Sequence, residues 1–286
     1  SACTMLRAGE DTFGLIGVTK WTNIVDLAVG MGFVIGIQKD GTVLYTGKGT
    51  CLMPQMTLLD GLTDLSIFYE GENGSSYAVG VKQDGTLAVS IDELAEYFGD
   101  ERVANVDGKR GVAAVACAPD GFVMLRGDGA VESDYEGFAA LSGLKSIRKI
   151  AAGGTDDHSF ALALSASGNV VSAGDLAVSW ANVRDIAAGR FGAACVFQDG
   201  TVAAAGELAN SVGDLSGWTD VIAAAVGDRH VIGLKKDGTC LAAGDNASGQ
   251  CDVSAWKNVA SVVAGARHTL ALLRDGTCVA VGDETV

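Results

Sequence analysis

A seven-bladed β-propeller, all-β throughout, is the fold this sequence predicts, and three observations carry the prediction. An Asp-Gly pair (once Ser-Gly) lies between two apolar runs seven times, at Asp40-Gly41, Asp84-Gly85, Asp120-Gly121, Ser167-Gly168, Asp199-Gly200, Asp237-Gly238 and Asp275-Gly276. Such pairs are the strongest short-range hairpin signal, because their residues tolerate positive φ. Seven residues after the first residue of each turn stand Gly47, Ile91, Gly127, Gly174, Gly206, Gly244 and Gly282, six glycines in a chain with 40 in 286 residues. Finally, the spacing of Gly244, Gly249 and Trp256 returns as Gly9, Gly14 and Trp21, so residue 9 continues where residue 282 stops. The offset of 273 residues between those two positions divides into seven repeats of 39. Strand-built repeats of about 40 residues are the signature of propeller blades.

Each repeat reads as three strands, clearest in the last. Val259 to Ala264 is a short strand of small residues for a crowded inner ring. Gly265 and the next two residues turn the chain. His268 to Leu273 is apolar on both faces, as a strand buried between neighbouring blades should be. Thr277 to Val281 follows the Asp-Gly turn, and Gln250 to Ser254 of the preceding repeat reads as a short outer edge strand. Residues 1–13 and 274–286 occupy the same repeat phase. The final blade is therefore expected to close between the chain ends, with Thr4 to Ala8 beside Thr277 to Val281 as a clasp over an otherwise open edge. Residues 1–286 form one domain, with almost no helix expected outside 92–110 and 136–143.

The formal net charge is −15, which excludes nucleic acid and anionic membrane surfaces as expected partners. A charged partner is expected to be basic. No apolar run is long enough to span a bilayer. No signal peptide is visible, although a chain beginning at Ser1 leaves a removed leader open.

All four tryptophans fall in one slot, nine residues before a turn glycine: Trp21, Trp180, Trp218 and Trp256, with Leu62 and Leu144 assigned to it in two further repeats. An aromatic ligand platform and a large apolar plug between blades both fit; the repetition of the slot and the substitution by leucine favour the plug. His230 and His268 share a second slot, and His158 falls close to it. Histidines so placed are spread around a ring rather than gathered into a metal site, and each is expected to bond its own blade's backbone. The seven cysteines, at 3, 51, 117, 195, 240, 251 and 278, include no Cys-x-x-Cys pair and read as buried free thiols. Free thiols lean towards a reducing, cytoplasmic compartment, with an anaerobe's surface or secretion as alternatives. No phosphate loop, metalloprotease motif or nucleophile elbow is present, so no catalytic, cofactor-binding or metal-binding residue is assigned.

Charge is segregated by rim. Lys39, Lys82, Lys235, Lys236 and Arg274 stand beside the Asp-Gly turns. The opposite rim is expected to carry Glu10, Asp11, Glu70, Glu72, Asp128, Asp156, Asp157, Asp175, Glu207, Asp228, Asp245 and Asp283, with Lys48, Arg190, Arg229 and Arg267 as exceptions. Asp156, Asp157, Asp228 and Asp245 are the candidate partner-binding residues.

The segment Gly265-x-x-His268-Thr-Leu-Ala-Leu272, followed by Asp275-Gly-Thr and Gly282-Asp, resembles the repeat of the regulator of chromosome condensation family. Gly227-x-x-His230, Asp237-Gly-Thr and Gly244-Asp-Asn-x-x-Gly-Gln match it again, and Ile186-Ala-Ala-Gly189 and Ile150-Ala-Ala-Gly153 fit the segment before it. The resemblance is strongest over 144–286 and weakest over 92–118, and the Gly-Gln-Cys-Asp-Val-Ser-x-Trp segment is similar to bacterial members. It implies a seven-bladed propeller but no single function. Members include an exchange factor for the GTPase Ran, a plant ultraviolet photoreceptor and a bacterial β-lactamase inhibitor. The photoreceptor's Gly-Trp-Arg-His-Thr segment becomes Gly265-Ala-Arg-His-Thr and Gly227-Asp-Arg-His-Val here, so Ala266 and Asp228 replace the sensing tryptophan. The exchange factor's wedge has a counterpart in the irregular insertion Asp92 to Lys109, but the acidity of the chain does not suit chromatin. The expected function is a non-catalytic, monomeric protein-interaction scaffold of bacterial type. The alternatives are an inhibitor or regulator of an enzyme or GTPase, or an enzyme working in the central channel.

Overall fold

The computed structural model describes residues 15–29, 33–47, 61–69, 76–89 and 108–283. Among these residues the strands form seven sheets, each of three antiparallel strands in sequence order. Blade 1 comprises β1 (Ile24–Val29), β2 (Phe33–Gln38) and β3 (Val43–Gly47), and blade 2 comprises β4 (Leu62–Tyr69), β5 (Ser76–Lys82) and β6 (Leu87–Val89). Blade 3 comprises β7 (Val112–Ala118), β8 (Gly121–Arg126) and β9 (Val131–Ser133), and blade 4 comprises β10 (Ile147–Thr155), β11 (His158–Ser165) and β12 (Val170–Gly174). Blade 5 comprises β13 (Val183–Gly189), β14 (Gly192–Phe197) and β15 (Val202–Gly206), and blade 6 comprises β16 (Val221–Val226), β17 (His230–Lys235) and β18 (Cys240–Gly244). Blade 7 comprises β19 (Val259–Ala264), β20 (His268–Leu273) and β21 (Cys278–Gly282).

The Asp-Gly turns do more than reverse the chain. In blade 7 the Gly276 amide donates to Leu273 and the Leu273 amide to Thr277, which makes a three-residue loop with Gly276 at φ 83°. Only the glycine is left-handed. The aspartate instead accepts from the Thr277 amide at 2.9 Å, and Asp40, Asp84, Asp199 and Asp237 do the same in their turns. These bonds hold the turn carboxyls below their ordinary pKa. The glycine carbonyl then faces the next blade. Gly238 accepts from Val259 at 3.0 Å, and Gly276 accepts from Ile24 at 3.3 Å, joining blade 7 to blade 1. The carbonyls of Gly85, Gly129, Gly168 and Gly200 accept equivalent bonds, and that of Gly41 accepts from the Gly61 amide, one residue earlier. The residue before each inner strand is left-handed in every blade, as Asn23, Gly61, Gly111, Ser146, Asn182, Asp220 and Asn258. Asn, Asp and Gly tolerate that conformation best.

Burial follows the seams between blades. Second strands are buried on both faces, as in β20 and β17. One apolar cluster fills each seam, and Val18, Trp21, Ile24 and Leu27 of the first repeat pack with Leu270, Leu272 and Cys278 of the seventh. The tryptophans plug these seams. Trp21 is 6% exposed and lies so close to Gly36 that a Cβ there would meet its ring at 2.8 Å; Trp218 meets Gly233 in the same way at 2.7 Å.

Several expectations are corrected. Asp120-Gly121 joins β7 to β8, and the turn equivalent to the others is Asp128-Gly129, where the Ala130 amide bonds Asp128 at 3.0 Å. Asp128 therefore lies on the turn rim, Asp120 lies on the opposite rim, and Tyr135 rather than Gly127 holds the later glycine slot. Leu62 opens β4 opposite Lys82, as Val259 opens β19 opposite Leu273, so it is not in the tryptophan slot. Gln250 to Ser254 forms turns instead of an edge strand, with Val253 buried. Among the described residues two helical segments lie outside the expected ranges. They are a 3-10 helix over Leu15–Lys20 and a short α-helix, α1, over Glu207–Val212, which buries Leu208 and Val212 in the seam. The clasp over residues 4–8 and most of the insertion, residues 90–107, lie outside the described residues.

Candidate functional site

Strand register fixes the two rims. His268 pairs with Gly282, so the first-to-second-strand turn and the end of the third strand share one rim, the loop rim. Asp156, Asp157, Asp228 and Asp245 all lie on it, but in different settings. Asp156 and Asp157 are exposed at the tip of the β10–β11 hairpin. That hairpin carries the pairs Gly154–Ser159 and Thr155–His158 beyond Gly153–Phe160, the position where blade 7 already turns. Two extra pairs lift the tip by about 7 Å, at 3.3–3.4 Å per residue. His158 is exposed there, and Phe160 occupies the slot of His230 and His268.

Asp245 is spent inside its own loop. It accepts from the Ala247 amide at 3.0 Å and from Gln250 Nε2 at 3.1 Å. Gln250, 1% exposed, passes the connection inward: its carbonyl accepts from the Thr269 hydroxyl at 2.7 Å, and that hydroxyl meets His230 Nε2 at 2.9 Å. With its proton given to Gln250, the hydroxyl accepts from His230, which places the imidazole proton on Nε2. His230 thus bonds the neighbouring blade rather than its own backbone. At His268 the next blade offers Val34 where blade 7 has Thr269, and neither ring nitrogen has a partner among the described residues. Burial holds both imidazoles neutral, with pKa values of about 4. The glycine of Gly-x-x-His makes room: a Cβ on Gly227 would lie 2.2 Å from His230 Cε1.

At the loop-rim end of the axis the inner strands surround a cavity of about 150 Å³, walled largely by Val29, Ala152, Ala188, Gly189, Ala264 and Gly265. Small-molecule sites usually run to about 300–1,000 Å³, so this one suits a single side chain. The small residues oppose a channel enzyme. Deeper in the inner strands the carboxylates serve as straps. Asp64 accepts from the Val115 amide at 2.8 Å, and Asp185 accepts from the Ala224 amide at 3.1 Å while pairing with Lys149 at 2.5 Å. Asp26, in the same slot of blade 1, accepts from its own Leu27 amide at 2.9 Å. Burial, with Asp64 adding to it, raises its pKa to about 7; burial raises Asp64 to about 6.

Asp228 is half-buried at the cavity mouth. Burial pushes its carboxyl up, against the pull of Arg190, Arg229 and Arg267. Arg190 and Arg229 both lie over the Phe191 ring, at 5.3 and 5.4 Å from its centroid. The basic exceptions of blades 5, 6 and 7 therefore gather at one place. In sequence they stand apart, and only the ring brings them together. Among the described residues Cys117, Cys195, Cys240, Cys251 and Cys278 are free thiols. Burial pushes Cys195 up to about 12 and Cys240, Cys251 and Cys278 to about 11, so none is poised as a nucleophile. No group of three metal-ligating side chains occurs among the described residues. No helix there is long and apolar enough to cross a membrane.

Seven stitched antiparallel sheets around an axial cavity define a repeat β-propeller. Residues 221–250 and 259–286, blades 6 and 7 with their flanks, match the model of the regulator of chromosome condensation (RCC1) repeat, so these two blades of the propeller are RCC1-like. No curated protein sequence matches it. Among solved structures it is similar to the CRINKLY WD40 ectodomain of the Arabidopsis thaliana receptor kinase ACR4, with 16% identity and a TM-score of 0.57, over 78% of this chain and 82% of that one. It is also similar to the ectodomain of the Physcomitrella patens receptor kinase CR4, with 17% identity and a TM-score of 0.56, over 76% of this chain and 63% of that one. At such identities the likeness is one of fold.

Proposed function

We propose that this propeller is a non-catalytic scaffold that binds a protein partner through its loop rim. The observation that carries the reading is the lifted β10–β11 hairpin, which presents Asp156 and Asp157 to solvent while Asp245 is bonded within its own loop. Exposed acidic residues on a rigid hairpin suit a partner with a basic patch, because complementary charge speeds encounter and fixes register. Asp245 shapes its own loop, and Asp228 sits among arginines, so on this reading the outer contact falls to Asp156 and Asp157. The test is an Asp156→Lys/Asp157→Lys double variant used as bait, beside the unaltered chain, in cross-linked pull-downs read by mass spectrometry. A partner captured by the unaltered chain should be lost from the variant, with slower association and a weaker salt dependence for what remains. Equal capture by both would overturn the reading.

A further inference from the structure

The loop rim carries a second feature of opposite sign. Arg190, Arg229 and Arg267 come from the equivalent loops of three consecutive blades: Arg190 lines the axial cavity with Asp228, Arg229 lies over the same Phe191 ring as Arg190, and all three act electrostatically on Asp228. Among the described residues none of the three guanidiniums takes part in an ion pair or a side-chain hydrogen bond. Two of them instead flank Phe191. A guanidinium on an aromatic face is held in orientation while its edge N–H groups stay free, and a free edge is the geometry that grips a carboxylate through two parallel bonds. Three cations against one carboxylate leave a local positive excess on a chain whose net charge is −15. Behind them lies a cavity of about 150 Å³ that fits one side chain and little more.

We propose that the axial mouth is a binding site for a carboxylate side chain, presented by an acidic segment of a partner protein. The site rests on the reading that the loop rim binds a protein, and it places a contact of opposite polarity at the centre of that rim. Asp228 then acts as an internal competitor: its carboxyl, close enough to feel the three arginines without pairing with any of them, offsets part of their pull on the incoming carboxylate.

The probe is a short synthetic peptide, acetyl-Gly-Glu-Glu-Gly-amide, with its Gln-Gln counterpart and inorganic phosphate as controls. Binding is followed through the arginine Nε–Hε NMR resonances of the full chain. The Glu peptide should shift the Arg190 and Arg229 signals, and the Gln peptide should not. Arg190→Gln/Arg229→Gln should weaken binding by about 10-fold or more, the scale of a lost charge-assisted pair. Asp228→Asn should strengthen it several-fold, a gain that a loss of folding would not produce. Asp156→Lys/Asp157→Lys should leave it in place, which separates this site from the outer contact. The proposal is overturned if the Glu peptide shifts nothing, if its affinity is the same in the arginine variant, or if Asp228→Asn weakens it. Binding of phosphate without the Glu peptide would also overturn it, since the mouth would then serve a free anion.

Discussion

In blade 6 a histidine crosses to the next sheet, held by a threonine hydroxyl and a buried glutamine loop. In blade 2 the same slot holds Tyr77, whose hydroxyl donates across the seam to the carbonyls of Ala118 and Gly121. Asp64 and Ser66 add bonds to the Val115 and Cys117 amides of blade 3. The two regions meet one geometric demand, a polar bridge from the start of a second strand to the neighbouring blade. Blade 6 meets it with the residues of the repeat motif; blade 7 carries the motif histidine, but His268 makes no such bridge among the described residues, and the match to the repeat model covers both blades. The position in the ring is thus more constant than the residue that fills it.

The comparison can be broken most severely at the plug. Trp256→Ala should cost about 3–5 kcal/mol of stability, the range for a large buried aromatic, by chemical denaturation. A much smaller loss would mean that the blade 6–7 seam is held by its polar bridge instead. Next comes pH, because a buried inner-strand carboxylate and the motif histidine carry opposite slopes. Asp26 in blade 1 binds its proton more tightly when folded, so its contribution is full below about pH 4 and is lost as pH rises towards 7. His230 in blade 6 binds its proton less tightly when folded, so stability is lost as pH falls from about 6.5 towards 4. Asp26→Asn should therefore stabilise the chain by about 2–4 kcal/mol at pH 8, from about 1.4 per pKa unit, and have little effect at pH 4. A flat difference between the two pH values in thermal melts would remove the contrast.

Tyr77→Phe should cost about 1–3 kcal/mol, because it removes a buried hydroxyl that bonds two carbonyls across the seam. Thr269→Val should cost less, about 1 kcal/mol, since Val34 already fills the equivalent position in blade 1. If these two losses came out in the reverse order, the motif-built bridge would be the stronger one.

Much of the fold was legible because periodicity survives at sequence level. Val259–Ala264 and His268–Leu273 were read to the residue, and the blade number follows from the turns. Blade 3 was read one hairpin out of phase. Asp120-Gly121 is flanked by apolar runs, whereas the true turn at Asp128 is followed by alanine instead of threonine. Helix α1 was missed because Glu207 and Asn210 make its sequence look like a polar loop, and only the seam beneath it explains Leu208 and Val212. The rim assignment of the four aspartates was legible, but their unequal exposure was not. Asp245 turns inward to Gln250, Asp228 is wedged among arginines, and Asp156 and Asp157 stand exposed at the tip of a lifted hairpin. The arginine cluster was visible only as exceptions to an acidic pattern, since its members lie on different blades.

The bond from Ile24 to Gly276 also sets a waiting time. The two residues are 252 positions apart (24 to 276), and a ribosome adding about 5–20 residues per second needs about 13–50 s to travel from one to the other. Throughout that interval Trp21, Ile24 and Leu27 have no seventh blade to lie against. The nascent chain carries an open apolar flank while six blades assemble behind it, so the seam that completes the ring is also the surface most in need of chaperone cover during synthesis.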